Sequence, residues 1–458
     1  VDAYIPDDPI AALATPMGRS ALAVIRTTGR GCVDLLAPLF SRSDRLQAAP
    51  GNTVHYGKLV RPNEAKDRSR EVDEVVLTLF REPASYTGQD SVEISCHGSP
   101  AGIEAVLQLL YGNGFRAADP GEFTMRAFLN GKLDLTRAEA VNELIGSQTR
   151  QAHDLALHRL GGAVERQVNE VKDRLTKIMA AVEIQLDYPE EDTGEVPVPR
   201  GAISEAIDEL NTLLDTYSTG RLYQEGAKVA IAGRTNAGKS SLFNRFLRED
   251  RAIVSQTHGT TRDYLETQVS VGGIPLRLYD TAGLRESNEE IESEGIRRSG
   301  VLLESAELVL YVVDGTVGLT EDDRARLQEL GADRVIPIWN KCDSEERVET
   351  PQTGDFIELS AESGEGFGQL EEAVRRRLLP GGSGGDGSPI IDSARQKQLL
   401  EGCVESLRQV LAGLDDDVPV DAISLDLQDA LQALGEITGE VTTSDILDTM
   451  FQGFCVGK

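Results

Sequence analysis

Apolar and polar positions alternate with different periods along the chain, and the changes of period divide it. Up to about residue 121, short apolar runs such as 21–25 and 75–80 are separated by Gly, Pro and charged clusters, a pattern of mixed strands and helices in a compact α/β module. From Asp134 the period becomes helical. Thr136 followed by Glu139 has the spacing of a capping box, and apolar positions recur at helical intervals to about Leu186, with almost no glycine after Gly162. A charged, Pro-bearing break at 188–200 ends that stretch, and a further helix is expected around 203–217.

A domain boundary near Gly226 follows, because the texture changes again at Lys228. Five β-rich runs, 229–232, 276–279, 308–313, 335–339 and 356–359, alternate with helical stretches up to about Leu379, as in a mostly parallel sheet covered by helices. Residues 380–389 are rich in Gly and Ser and read as a linker, after which 394–414 and 425–434 are helical again. The sheet domain is therefore expected to be inserted between two halves of a helical one.

A length of 458 residues calls for two or three domains. No basic start with an apolar stretch and no run long enough to cross a bilayer is present, so the expectation is a cytoplasmic chain without a membrane segment. Cys32, Cys96, Cys342, Cys403 and Cys455 are scattered and never form CxxC, which fits reduced thiols better than disulfides or a zinc cage. With 76 acidic and 46 basic residues the formal charge is −30, so a nucleic acid must be met by a local site and not by a general positive field.

Residues 233–240, Gly-Arg-Thr-Asn-Ala-Gly-Lys-Ser, match GxxxxGK[ST] between the apolar run 229–232 and the helical start Ser241-Leu242-Phe243. A glycine-rich turn satisfies such spacing by chance, but a strand before it and a helix after it favour a phosphate loop spanning 233–241. Asn236, Ala237, Gly238, Lys239, Ser240 and Ser241 are its nucleotide-binding candidates; backbone N–H groups converge on phosphate, Lys239 adds charge and Ser240 offers a hydroxyl to magnesium. Asp280, Thr281, Ala282 and Gly283 close the next strand, where a carboxylate holds the magnesium shell and a glycine amide senses the γ-phosphate. Asn340-Lys341-Cys342-Asp343 ends another. Asp343 there can accept both the N1–H and the exocyclic amine of guanine, a pair adenine does not present, and Ser360-Ala361-Glu362 supplies a turn amide for the guanine oxygen. Each element alone is weak, but four in order at strand ends specify a GTPase.

Between the first two elements lies a polar loop in the place of a first switch: Ser255, Gln256, Thr257, His258, Gly259, Thr260 and Thr261 count among the nucleotide-binding candidates. Thr261 is the candidate second magnesium hydroxyl; the His258 imidazole itself reads as solvent-facing. Leu284 stands where Ras-like enzymes carry the glutamine that orients water, which leaves Arg285, Glu286 and Glu292 competing for that role. The amide oxygen of Asn236 is placed to help hold a monovalent cation beside the phosphates, doing the electrostatic work of an arginine finger.

These runs, together with Ala14-Thr15-Pro16, residues 23–26, 86–90 and 120–135, and Phe454-Cys455-Val456-Gly457-Lys458, resemble the MnmE (TrmE) family of tRNA-modification GTPases along the whole chain. The resemblance implies an α/β and α multidomain fold: an N-terminal α/β folate-binding and dimerisation domain (1–120), a discontinuous helical domain (121–220 and 380–458) and an inserted Ras-like P-loop G domain with a mostly parallel sheet (221–379). It further implies hydrolysis activated by potassium-dependent dimerisation of G domains. A homodimer would join the FAD-dependent flavoprotein MnmG in a heterotetramer to modify carbon 5 of the wobble uridine of tRNA, using a one-carbon unit from a folate such as 5-formyltetrahydrofolate.

By position, the resemblance assigns folate contacts to Arg26, Glu93, Lys132 and Lys458, potassium to Asn236, Ser255, Thr257 and Thr260, and magnesium to Ser240 and Thr261. Glu292 becomes the carboxylate that orients water, with Arg285 kept as a catalytic candidate. The Cys455 thiol on its own reads as a small buried apolar group; the resemblance raises it to a site residue of open role. His97 reads as a hydrogen-bonded turn residue. The competing class is a regulatory or ribosome-assembly GTPase that recruits RNA without acting on it; the N-terminal module and the 454–458 tail separate the two.

Overall fold

The computed structural model describes residues 7–62, 71–187, 198–249, 266–280, 303–352, 354–380 and 388–458. Contacts group the chain into two units, one of Val1–Asn142, Val168–Lys177 and Gln428–Lys458, the other of Glu143–Gln167 and Ile178–Leu427.

The first unit is built on a six-stranded sheet of β1 (Ile10–Leu13), β2 (Leu22–Thr28), β3 (Thr53–Val60), β4 (Glu71–Phe80), β5 (Ser91–His97) and β6 (Arg116–Ala117), in the order β3-β4-β5-β2-β1-β6. All its pairings are antiparallel except β1 with β6. Alternation decides which face is covered: Ala23 and Ile25 of β2, Leu77 and Leu79 of β4, and Ile94 and Cys96 of β5 are buried in one core with Ile103, Val106 and Leu110 of the helix Pro100–Tyr111. That helix begins where it does because Pro100 fits a first turn and the Ser99 hydroxyl accepts from Gly102 N at 3.1 Å.

The helix Leu135–Gly146 corrects one expectation. Its cap is Asp134, whose Oδ1 accepts from Thr136 N (2.8 Å) and Arg137 N (3.2 Å), so Thr136 lies inside the first turn and is not the cap that its spacing to Glu139 predicts. A carboxylate two residues earlier satisfies the free N–H groups and favours the positive end of the helix, so it outcompetes the hydroxyl.

The second unit holds a sheet of β7 (Ala227–Gly233), β8 (Glu266–Val271), β9 (Ile274–Asp280), β10 (Leu308–Asp314), β11 (Val335–Asn340) and β12 (Ile357–Glu358), in the order β12-β11-β10-β7-β9-β8. Only β8 runs antiparallel to its neighbour. Leu308 to Val313 of β10 are all buried, as a parallel strand covered on both faces requires, and this is why the sequence reads there as an unbroken apolar run. The expected helix near 203–217 is two helices, Arg200–Asp215 and Tyr217–Glu225; Thr216 separates them, its hydroxyl donating to Leu213 O at 2.6 Å and accepting from Ile391 N at 3.1 Å. Gly226, with φ 77°, makes the turn into β7. The linker expected at 380–389 lies mostly outside the described residues. Among those described, no helix is long and apolar enough to cross a membrane.

Candidate nucleotide site

Because β9, β7, β10, β11 and β12 are parallel, their carboxyl ends share one edge of the sheet, where open α/β sheets bind ligands. Gly233, Asp280, Asp314 and Asn340 are the last residues of β7, β9, β10 and β11. The glycine-rich loop leaves β7 there and enters the helix Lys239–Glu249, so its N–H groups and the helix N-terminus face that edge.

Two glycines in the loop are required by space as well as by conformation. Gly233 has φ 136°, and a Cβ on it would lie 2.2 Å from Val312 O; Gly238 has φ 99°, and a Cβ would lie 2.1 Å from Asn340 Nδ2. Asn236 adopts φ 63°, a left-handed conformation asparagine tolerates better than most residues. Lys239 Nζ donates to Arg234 O at 2.7 Å, which folds the ammonium back over the loop. Asn236 and Ser240 are exposed.

Asn340 ties the loop to the 360–362 turn. Its buried side chain donates from Nδ2 to Ala237 O (2.8 Å) and accepts at Oδ1 from Ala361 N (3.0 Å), so one residue fixes the phosphate loop and the 360–362 turn together. That turn is closed by Gly364 N donating to Ser360 O at 2.8 Å and Ser363 N donating to Ser360 Oγ at 3.0 Å. Asp314 carries no motif of its own in the sequence. Its carboxylate accepts from Lys341 Nζ (2.6 Å), Thr316 N (3.0 Å) and Thr316 Oγ1 (2.7 Å). Burial pushes that carboxyl upward, and the donors from Lys341 and Thr316 outweigh it, holding the group below its ordinary range. The signal available beforehand was an aspartate closing the apolar run 308–313.

The structure thus brings together the phosphate loop, Asp280 at its strand end, Asn340, Lys341 and the 360–362 turn. Ser255, Gln256, Thr257, His258, Gly259, Thr260, Thr261, Thr281, Ala282, Gly283, Leu284, Arg285, Glu286 and Glu292 lie outside the described residues, as does the side chain of Asp280. No group of three or more His, Cys, Asp or Glu fit to hold a metal occurs among the described residues.

A second cluster occupies the first unit. Arg26 and Glu93 face one another across β2 and β5, and Arg26 donates to Glu93 Oε1 from Nη2 (2.7 Å) and Nε (3.0 Å) and to Gly457 O from Nη1 (3.2 Å). The guanidinium lies 5.6 Å from the Tyr86 ring centre and 5.8 Å from that of Phe123. Lys458 is half-buried near this pair; burial first, and the Arg26 charge second, hold its ammonium below the usual lysine value. Lys132 is anchored separately, its Nζ donating to Pro83 O at 3.0 Å.

The tail is seated by Phe454, buried against Phe451 at 5.0 Å between ring centres, and by Gly457, whose Cβ would lie 2.5 Å from Leu13 O. Those two anchors turn the intervening residues outward, so Cys455 is exposed and not the small buried group expected from its sequence. His97 is the last residue of β5, not a turn residue; its Nδ1 lies 2.7 Å from Asp73 Oδ1, and that hydrogen bond raises its pKa.

Residues 135–455 match the family described as the MnmE helical domain, and residues 9–132 the one described as the GTP-binding protein TrmE N-terminus. A tRNA modification GTPase MnmE of Treponema denticola is 42% identical over 472 residues, covering 99% of each chain. Its counterpart in Carboxydothermus hydrogenoformans is 39% identical over 464 residues, covering 99% of this chain and 100% of that one. Among solved structures, the G domain of the T. maritima FeoB iron transporter is 26% identical, covers 34% of this chain and 97% of the other, and has a TM-score of 0.25, an overlay too loose to bear on the family. Matched by its N-terminal and helical family models and collinear with such relatives over nearly all its length, the chain belongs to the MnmE family of tRNA modification GTPases.

Proposed function

We propose that this chain hydrolyses GTP in the service of tRNA modification, acting with the FAD-dependent MnmG flavoprotein to place an aminomethyl or carboxymethylaminomethyl group on carbon 5 of the wobble uridine. The observation that carries the GTPase part is the Asn340 bridge, which joins a glycine-rich phosphate loop to a base-recognition turn at the carboxyl edge of a parallel sheet. The space reserved by Gly233 and Gly238 fits a phosphate chain, with Lys239 at the helix start to meet its charge.

In this reading Asp343 selects guanine. Ser240 and Thr261 offer hydroxyls to magnesium, and Asn236, Ser255, Thr257 and Thr260 offer oxygens to potassium; the ions supply positive charge where negative charge grows during phosphoryl transfer. Glu292 orients the attacking water in place of the absent glutamine, with Arg285 beside it as a second candidate. Pairing of two G domains in a homodimer, within a heterotetramer with MnmG, makes hydrolysis responsive to potassium.

The N-terminal cluster supports a folate role. Arg26, Lys458 and Lys132 suit the polyanionic tail of a tetrahydrofolate derivative, Glu93 suits the donors of a pterin, and the rings of Tyr86 and Phe123 flank Arg26. Residues 1–120, 121–220 with 380–458, and 221–379 are the proposed folate, helical and G domains, working in the cytoplasm. Nucleoside analysis of tRNA from cells lacking the protein tests the reading: the C5-substituted wobble uridine is expected to disappear and to return with the wild-type gene. An unchanged nucleoside profile would leave a GTPase without this substrate.

A further inference from the structure

We propose that Asp314 is a positioning residue for guanine recognition, acting through Lys341 on the turn that carries Asp343; the proposal rests on the GTPase reading above. Lys341 has φ 64°, a left-handed backbone that an L side chain with an ordinary Cβ rarely adopts. Such a conformation persists only where the surroundings over-determine it, and the surroundings are visible. Asp314 is the last residue of β10 and pairs in register with Asn340, the residue before Lys341. Its carboxylate, 17% exposed, accepts from the Lys341 ammonium at 2.6 Å.

The carboxylate is itself aimed. Thr316 donates to it from both backbone N and hydroxyl, at 3.0 and 2.7 Å, and Gly315 N donates to Asn340 O at 2.9 Å. Val348 N donates to Gly315 O at 2.8 Å on this same side, and from the other side Cys342 N donates to Leu359 O at 3.2 Å. The 341–343 turn is thus held between the end of β10 and the strand before the 360–362 turn. The Asp314–Lys341 pair is the charged restraint in this set. Without it, Lys341 loses its short ionic contact, the left-handed residue relaxes, and the Asp343 carboxylate moves off the line of the guanine N1–H and amine. The phosphate loop, fixed by Asn340, stays in place.

The test is displacement of a fluorescent GDP by GDP, IDP and ADP, with steady-state GTPase kinetics, for wild type, Asp314→Asn, Asp314→Glu and Thr316→Val. Losing one charge-assisted contact of this kind predicts about a tenfold or larger loss of GDP affinity in Asp314→Asn. IDP, which lacks the exocyclic amine, is expected to lose less, so the GDP-to-IDP preference shrinks. KM for GTP rises while kcat at saturation stays within about twofold, because a residue acting on ground-state binding leaves the chemical step alone. Asp314→Glu restores part of the preference, and Thr316→Val moves it in the same direction by less, which keeps the test alive if Asp314→Asn misfolds. An unchanged GDP-to-IDP ratio in the folded variants, or kcat falling with the ratio constant, overturns the proposal. If wild type itself fails to prefer GDP to ADP, the GTPase reading fails first.

Discussion

Gly238→Ala is expected to lower guanine-nucleotide affinity by roughly a hundredfold or more, since it combines backbone strain with the loss of a buried hydrogen bond. At φ 99° an L side chain is strained before any contact is considered, and the new Cβ would lie 2.1 Å from Asn340 Nδ2. Asn340 must then give way, and its 2.8 Å bond to Ala237 O goes with it. Its partner bond to Ala361 N, at 3.0 Å, loosens as well, so one methyl group disturbs phosphate and base recognition together. The control is Gly368→Ala, in the helix Phe367–Leu378, where a Cβ meets nothing within 4 Å. That variant is expected to bind normally and to melt slightly higher, by the ~0.5–1 kcal/mol that alanine gains over glycine in a helix. Titration with a fluorescent GDP, paired with a thermal melt, separates the two outcomes.

The second large effect belongs to the first unit. Arg126 and Glu122, four residues apart in the helix Glu122–Leu129, form an ion pair at 2.6 Å with side chains 0% and 1% exposed. Arg126 also donates to Asp8 Oδ1 at 2.9 Å, Asp8 O at 2.8 Å and Gln89 Oε1 at 3.2 Å. Arg126→Met removes the buried cation, while Arg116 still donates to Glu122 (2.6 Å) and Asp8 (2.8 Å), so the expected destabilisation of this unit is about 1–3 kcal/mol, the cost of leaving buried polar groups short of a donor. Unfolding of a chain this long is not a single transition, so the reading is local: hydrogen exchange speeds up across Glu122–Leu129 while β7, β10 and β11 stay protected.

The same pair sets a pH dependence. Burial raises the Glu122 pKa, but donation from Arg116, Asp119 N and Arg126 exceeds it, and the folded value lies below the unfolded one. Its contribution is therefore complete above the ordinary carboxylate value and is lost as pH falls through the depressed folded value. Protection of this helix should fade in acid earlier in Arg126→Met than in wild type.

The strand, loop and helix framework of the candidate nucleotide site is legible in the sequence because backbone-driven motifs carry their own punctuation. Strand, glycine loop and helix at 227–249, and the polar residues ending each apolar run, are local signals that survive without tertiary information. What escaped was the network between them. Asn340 reads in the sequence as part of a base-recognition motif, yet its side chain spends both polar atoms on Ala237 and Ala361, which only the order β11-β10-β7 brings near. Asp314 is not legible in the sequence because an aspartate after an apolar strand is common, and its pairing with Lys341 is a contact between neighbouring strand ends. Cap assignment failed at Thr136 because two acceptors compete there and spacing does not weigh a carboxylate against a hydroxyl. The exposure of Cys455 is not legible in its sequence: burial in 454–458 follows Phe454 and Gly457, and a five-residue segment has too little periodicity to show it.

The proposed function requires a guanine-specific phosphate site on the carboxyl edge of β7, β10 and β11. Equilibrium displacement of a fluorescent GDP by unlabelled GDP, GTP, ADP and ATP, with the unmodified protein, tests it most directly. The guanine nucleotides are expected to displace the probe at concentrations at least about a hundredfold lower than the adenine ones, since the bidentate contact at Asp343 would be left unpaired by adenine. Displacement by ADP and GDP at the same concentration would rule out guanine selection at this edge.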